Sequence, residues 1–131
     1  MSETVFLVDD DAAVLKAVSR LLRAKGHTVK AFSSARDFMD GYEPSATGCV
    51  VLDLSMPGIT GLELQRWLAA RQSSLPILFL TGSDELLQKR ESILPGATVE
   101  ILMKPISGCE FISAVEKALG RSRAVRNNSA N

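Results

Sequence analysis

Short, mainly apolar runs alternate with longer amphipathic stretches along the whole chain. The runs cover residues 5–8, 28–32, 49–52, 76–80 and 100–103, which predicts five β-strands. Within 49–52 no polar residue interrupts the apolar sequence, as in strands that are buried on both faces. Such strands need cover on both sides, so the pattern favours a parallel sheet with helices on each face.

The amphipathic stretches between the strands predict five helices. Two of their starts carry a capping box, in which a hydroxyl side chain and a glutamate three residues later bond each other's backbone N–H: Thr60 with Glu63, and Ser107 with Glu110. The five predicted helices lie at 14–22, after Ser33 or Ser34, at 60–68, at 84–94 and at 107–119. Strict alternation of strands and helices predicts an α/β fold with a doubly wound, five-stranded parallel sheet.

Length and charge narrow the choice of function. The 131 residues fit one domain, and 46% hydrophobic residues are enough for a core. Fifteen basic and fifteen acidic residues give a net charge of zero, which argues against a domain that binds nucleic acid by itself. Because the sequence becomes polar and basic near its end, we expect a globular domain over residues 1–120 and a basic tail or truncated linker over 121–131.

The two cysteines and the single histidine do not form a metal-binding pattern. Cys49 and Cys109 lack a C-x-x-C spacing, and His27 is distant from both in sequence. Reduced thiols in a cytosolic protein are the simpler interpretation. No stretch has membrane-spanning length and the N-terminus lacks a charged, apolar leader, so we expect a soluble, cytoplasmic protein that does not enter a membrane.

Charged or hydroxyl side chains follow directly after four of the five predicted strands. Asp9 and Asp10 follow the first strand, Asp53 the third, Thr81 the fourth and Lys104 the fifth. The carboxyl ends of parallel strands meet at one edge of a sheet, where doubly wound proteins bind their ligands. We therefore expect these five side chains to lie close together.

This combination favours chemistry on a phosphoryl group. Clustered carboxylates recruit a cation, and oxygen ligands suit a hard divalent ion such as Mg²⁺. Beside such an ion, the carboxylate of Asp53 can attack phosphorus and form an acyl phosphate. The hydroxyl of Thr81 and the positive charge of Lys104 would stabilise the negative charge that spreads over the phosphoryl oxygens.

Each of these residues also has a simpler structural interpretation. Asp11, the third acid after the first strand, could cap the first helix, and Asp9 or Asp10 alone could be turn residues. Thr81 could serve only in a turn or cap, and Lys104 in isolation could be a solvated surface lysine. Asp53 is harder to explain in this way, because an acid at the end of a buried strand needs a partner.

Four segments of the chain occur in a characteristic order: VDD at 8–10, VLDLSMPGITG at 51–61, LTG at 80–82 and KP at 104–105. Together they resemble the receiver domain of bacterial two-component response regulators. The likeness extends from residue 4 to about residue 119, and the segment around Asp53 is its most specific part. It implies the flavodoxin/CheY-like form of the doubly wound fold.

The resemblance implies that Asp53 is the phosphoacceptor. It also implies that Asp9 and Asp10, together with Asp53 and the backbone carbonyl of Ser55, bind Mg²⁺ as the cofactor. The phosphoryl group would come from the phosphohistidine of a sensor histidine kinase. The protein would then not be an enzyme in the ordinary sense, because it would catalyse only its own phosphorylation and dephosphorylation.

The same resemblance implies a signalling switch. Lys104 would contact the phosphoryl oxygens, and Thr81 would swing towards them on activation. The surface of the predicted fourth helix, fifth strand and fifth helix would change and control homodimerisation or an effector in transcription regulation. The sequence is similar to receivers of the FixJ type, which usually precede a helix-turn-helix domain, so nucleic acid would be bound only through such a C-terminal domain outside this chain.

Two features depart from the family's pattern. Ile101 stands where a switch Tyr or Phe is usual, so it is either plain core or a modified switch. The segment 95–100 is one residue longer than usual before Lys104, and 86–90 differs from the small-residue helix of FixJ-type receivers. Both departures concern how the signal leaves the domain rather than the phosphorylation chemistry.

Two other functions are alternatives to the receiver switch. A binding module that kept the fold but is not phosphorylated would be expected to have lost at least one of the strand-end residues. A phosphohydrolase with an aspartyl nucleophile would want a second acid two residues after Asp53, where this chain has Ser55. The intact set of residues therefore favours the receiver switch.

Overall fold

The computed structural model describes residues 3–54, 56, 58–82, 98–104 and 107–129. The strands are β1 (Thr4–Val8), β2 (Thr28–Phe32), β3 (Gly48–Asp53), β4 (Ile77–Thr81) and β5 (Thr98–Met103). The helices in the described ranges are α1 (Ala12–Ala24), α2 (Ala35–Gly41), α3 (Gly61–Ala70) and α4 (Gly108–Ser129). The predicted helix at 84–94 lies outside the described residues.

The five strands form one parallel sheet in the order β2-β1-β3-β4-β5. This is the strand order of the flavodoxin-like doubly wound fold, so the predicted fold class is confirmed. The order reverses direction between β1 and β3, and ligands of such sheets bind beyond the carboxyl ends of the strands at this point. The topology therefore predicts that a ligand would bind near the carboxyl ends of β1 and β3.

The sheet has a hydrophobic cluster on each face because successive side chains of a strand point to opposite sides. Along β1, Val5 and Leu7 belong to the cluster covered by α1 and α4, whereas Phe6 and Val8 belong to the cluster covered by α2 and α3. All six residues of β3 are buried. The fully apolar predicted run at 49–52 is explained by this double cover.

Side-chain caps begin the helices largely where the sequence predicts them. Ser34 accepts a hydrogen bond from the backbone N–H of Asp37 and so caps α2. Thr60 and Glu63 form the complete predicted capping box of α3. Ser107 accepts from the backbone N–H of Glu110 over 3.1 Å at the start of α4.

The last helix is longer than the sequence pattern predicts. We expected a change to tail or linker at Gly120, but α4 continues through Ser129, and Ser122 is buried. The polar composition after residue 120 indicates that this segment has little apolar surface to bury. It does not exclude a helix, because arginine and alanine favour helix. The division of the chain into residues 1–120 and 121–131 stays a prediction.

Both cysteines carry free thiols, with Cys49 buried and Cys109 exposed. Burial, with a smaller contribution from the charge of Glu3, raises the pKa of the Cys49 thiol to about 12. The Cys49 thiol is therefore neutral and unreactive at ordinary pH. Among the described residues, no helix combines the length and the apolar character needed to cross a lipid bilayer.

Candidate functional site

The two buried carboxylates of the site follow neighbouring strands. Val8 of β1 pairs with Leu52 of β3, so the next residues, Asp9 and Asp53, come side by side at the edge of the sheet. Only 3% of Asp9 and 5% of Asp53 are exposed. Two carboxylates in such a place need positive charge nearby, because each loses most of its hydration.

Asp10 adds a third carboxylate from the solvent side. One carboxylate oxygen each from Asp9, Asp10 and Asp53 lies within 4.8 Å of the other two, and Asp10 is exposed. Carboxylate oxygens converging in this way fit a hard divalent cation, and an octahedral Mg²⁺ keeps several further positions for water or phosphate oxygens. The predicted set of metal-binding side chains is thus brought together in the structure.

Lys104 bridges the two buried carboxylates. Its Nζ atom lies 3.3 Å from Oδ2 of Asp9 and 3.4 Å from Oδ2 of Asp53. The lysine is placed there by the sheet itself, since its backbone N–H donates to the carbonyl of Thr81 over 2.8 Å just past the end of β5. A single ammonium group thereby offsets part of the negative charge at the ends of β1 and β3.

The pKa of Lys104 reflects two opposing effects. Burial of the side chain would lower its pKa, but the charges of Asp53 and Asp9 and the hydrogen bonds to both carboxylates act in the other direction. The net result is a pKa raised above the ordinary lysine value. Lys104 therefore carries its positive charge throughout the physiological range.

Thr81 lies at the same edge of the sheet. It ends β4, where Leu80 pairs with Asp53 and Thr81 pairs with Met103, so it stands between the strands that carry Asp53 and Lys104. The residue is fully buried, and its hydroxyl donates to the carbonyl of Gly82 over 2.9 Å. The predicted hydroxyl is therefore present beside the carboxylates and the ammonium group.

Asp11 belongs to the helix rather than to the charged cluster. Its Oδ1 atom accepts hydrogen bonds from the backbone N–H groups of Ala13 and Val14, which confirms the capping interpretation. Its own backbone N–H donates to Oδ1 of Asp9 over 2.9 Å and so helps to orient that carboxylate. Ser55, whose carbonyl was expected to contribute to the metal site, lies outside the described residues.

The sequence pattern does not predict that Gly61, the first residue of α3, lies against the backbone of Asp53. A Cβ atom built on Gly61 would lie 2.3 Å from the carbonyl oxygen of Asp53. Glycine is a poor helix former, and its position directly after the cap of α3 was the available signal of a close backbone contact. Ile101 is half-buried against the cluster under α2 and α3, and its role as plain core or as a modified switch stays a prediction.

Comparisons of the sequence with known proteins show the family to which the chain belongs. A family model described as the response regulator receiver domain matches residues 5–116. Response regulator protein TodT of Pseudomonas putida is 36% identical over 128 residues, which cover 98% of this chain and 56% of TodT. Transcriptional regulatory protein FixJ of Azorhizobium caulinodans is 38% identical over 118 residues, which cover 90% of this chain and 56% of FixJ. The chain thus spans about half the length of these curated relatives.

Two solved structures are similar to this chain in fold. Response regulator StyR superposes with a TM-score of 0.88 at 32% identity, over 99% of this chain and 65% of the StyR chain. A structure entitled FixJ-N superposes with a TM-score of 0.79 at 29% identity, over 92% of this chain and 95% of its own. Each superposition covers more than nine tenths of this chain.

Proposed function

The chain belongs to the response regulator receiver domain family, and on that premise we propose that it is a signalling switch that accepts a phosphoryl group on Asp53 with Mg²⁺ as cofactor. One observation carries the proposal: Lys104 bridges the buried carboxylates of Asp53 and Asp9, and one oxygen each of Asp9, Asp10 and Asp53 lies within 4.8 Å of the other two. Receiver domains of response regulators interact with histidine kinases. A sensor histidine kinase is accordingly the proposed phosphoryl donor.

The proposed reaction is a transfer between two side chains. An Oδ atom of Asp53 forms a bond to phosphorus while the bond from phosphorus to the imidazole nitrogen of the donor histidine breaks. The imidazole keeps the electron pair of that bond and takes up a proton, and Asp53 becomes an acyl phosphate. Asp9, Asp10, Asp53 and the Ser55 carbonyl are proposed to hold Mg²⁺, which when bound would offset negative charge on the carboxylates and on the transferred group.

Lys104 and Thr81 are proposed to recognise the product. Phosphorylation replaces the single charge of Asp53 by a group with about −1.5 to −2 charges and three strong acceptor oxygens. The ammonium of Lys104 already lies 3.4 Å from Asp53 and needs only a small movement to contact these oxygens. The hydroxyl of Thr81 turns from the carbonyl of Gly82 towards the phosphoryl group.

The proposed output is a change in the surface next to these two residues. Lys104 follows the edge strand β5, and we propose that its movement changes the surface formed by β5, by α4 and by the helix that the sequence predicts at 84–94. Switches of this kind operate on coupling free energies of about 1–3 kcal/mol. We propose that this surface controls pairing with a second copy or with an effector in the cytoplasm, and that any control of transcription acts through a separate DNA-binding domain.

The first test is a mass measurement. The protein is incubated with Mg²⁺ and acetyl phosphate, and its intact mass is compared with that of Asp53→Asn and of Asp40→Asn, which alters an exposed carboxylate on α2. We expect a phosphoryl-sized mass gain in the parent and in Asp40→Asn but none in Asp53→Asn, because an amide cannot form the acyl phosphate.

Two outcomes would contradict the proposal. A mass gain in Asp53→Asn equal to that of the parent would place the modification on another residue. A folded parent protein that gains no mass with any phosphodonor would instead support a binding module that works without phosphorylation.

A further inference from the structure

The first turn of α3 lies against the backbone of the proposed phosphoacceptor. A Cβ atom on Gly61 would lie 2.3 Å from the carbonyl oxygen of Asp53, 3.0 Å from the Cα atom of Leu54 and 3.1 Å from the carbonyl carbon of Asp53. All three are backbone atoms, so no side-chain rotation could make room. Any side chain at this position must therefore displace either α3 or the peptide unit between Asp53 and Leu54.

A hydrogen bond also holds Gly61 close to the end of β3. The backbone N–H of Gly61 donates to the carbonyl of Leu54 over 3.2 Å, which closes the loop between β3 and α3. The loop contains Ser55, one of the residues proposed to hold Mg²⁺. Gly61 thus contacts the backbone of Asp53 and Leu54, where this loop begins.

The two sides of this contact are not equally able to move. The helix α3 is anchored by its capping box and by Leu64 and Leu68, which are 0% and 2% exposed. The Asp53–Leu54 peptide stands at the end of its strand, where the backbone N–H of Leu54 donates to the carbonyl of Leu80. Displacement by an added side chain is therefore expected to fall on Asp53.

We propose that Gly61 is a positioning residue for the phosphoryl transfer: the absence of a side chain lets α3 hold Asp53 at the correct distance from Lys104 and from the metal ligands. This inference rests on the proposed function of Asp53. Relieving the contact needs a shift of about 1 Å, and misplacement of that size lowers a rate by a factor on the order of 100. Mg²⁺ is sensitive to the same shift, since it requires near-ideal octahedral geometry.

The test compares Gly61→Ala with Gly48→Ala. Gly48 lies at the opposite end of β3, where a Cβ atom would meet the carbonyl oxygen of Thr4, so its variant disturbs the same strand away from the site. For each folded protein we would measure urea unfolding, the Mg²⁺ dissociation constant, the phosphorylation rate with acetyl phosphate and the amide chemical shift of Leu54.

We expect both variants to lose stability. Only Gly61→Ala should phosphorylate 10–100 times more slowly, bind Mg²⁺ more weakly and shift the Leu54 amide signal. A merely structural glycine would lower stability without these three changes. Equal phosphorylation rates and Mg²⁺ affinities in Gly61→Ala and the parent would overturn the inference, as would equal losses in the two variants.

Folding of the variant is secured by a second substitution. Gly120 is an exposed position within α4 where an added Cβ meets nothing within 4 Å, so Gly120→Ala should stabilise the domain by about 1 kcal/mol. If Gly61→Ala does not fold even in this background, Gly61 serves the fold and the positioning role is wrong. If the parent protein is itself never phosphorylated, the proposed function is wrong, and not this inference alone.

Discussion

At the scale of single residues, the charged cluster shows what strand-end positions predict and what they leave open. The sequence predicted that Asp9, Asp53 and Lys104 meet, because each directly follows a parallel strand. It did not predict that Lys104 contacts both carboxylates or that Asp9 is buried while Asp10 faces solvent. Side-chain direction just past a strand depends on the turn that follows, and composition carries no information about it.

Replacing Lys104 by methionine tests its role between the carboxylates. Without Mg²⁺, Lys104→Met should unfold at lower urea concentration, with a loss of about 1–2 kcal/mol, because Asp9 and Asp53 then lack the shared ammonium group. The loss is smaller than for a fully buried pair because 32% of the Lys104 side chain is exposed. Lys117→Met, at an exposed position of α4, should lose much less.

The stability difference between the parent and Lys104→Met should also depend on pH. Since the folded-state pKa of Lys104 is raised, its stabilising contribution is fully present below the ordinary lysine pKa of about 10.4 and is lost as pH rises through the raised value. The stability difference between parent and Lys104→Met should therefore be constant from pH 7 to 9 and shrink in strongly alkaline solution. A difference that is the same at pH 8 and at pH 12 would contradict the assigned ion pairs.

At the scale of elements, the sequence predicted where helices begin better than where they end. A helix start depends on a side chain that accepts hydrogen bonds from backbone N–H groups of the first turn. Residues such as Thr60 and Ser34 indicate such a start in the sequence. The end of α4 has no such signal: the sequence becomes polar and basic after residue 120, yet the helix passes through Gly120 to Ser129. Glycine within a helix costs only about 1 kcal/mol, which neighbouring residues can offset.

The capping box of α3 provides a prediction at this scale. Thr60→Ala removes the acceptor for the backbone N–H of Glu63 and should lower the free energy of unfolding by about 1 kcal/mol. Ser113→Ala removes a hydroxyl from an exposed position inside α4 and should not lower it. Urea unfolding followed by circular dichroism would measure both, and equal effects of the two changes would show that the cap is not the cause.

At the scale of the whole molecule, the alternation of strands and helices predicted the parallel, doubly wound sheet but not the order of its strands. Order depends on the direction in which each crossover connection turns, which apolar periodicity does not encode. Only the resemblance to receiver domains implied the flavodoxin/CheY-like form. The observed order places Asp9 and Asp53 on adjacent strands, and the site depends on that adjacency.

Binding of Mg²⁺ to the native state alone should stabilise the entire domain. At a concentration 100 times the dissociation constant, the free energy of unfolding rises by about 2.7 kcal/mol, and thermal unfolding should shift upward accordingly. Chelation should reverse the shift, and Asp9→Asn should reduce it, because one of the three converging carboxylates is lost. A similar shift with NaCl at equal ionic strength would point to general screening rather than to a site.

The ion pair between Asp9 and Lys104 joins residues 95 positions apart in the chain. Contacts of such long range form late in folding, because the ends of a long loop must first be brought together. No fragment that ends before β5 can complete the charged cluster. If the proposed function is correct, a nascent or proteolytically shortened chain that lacks this strand cannot be phosphorylated at Asp53, and competence for the reaction requires the complete sheet.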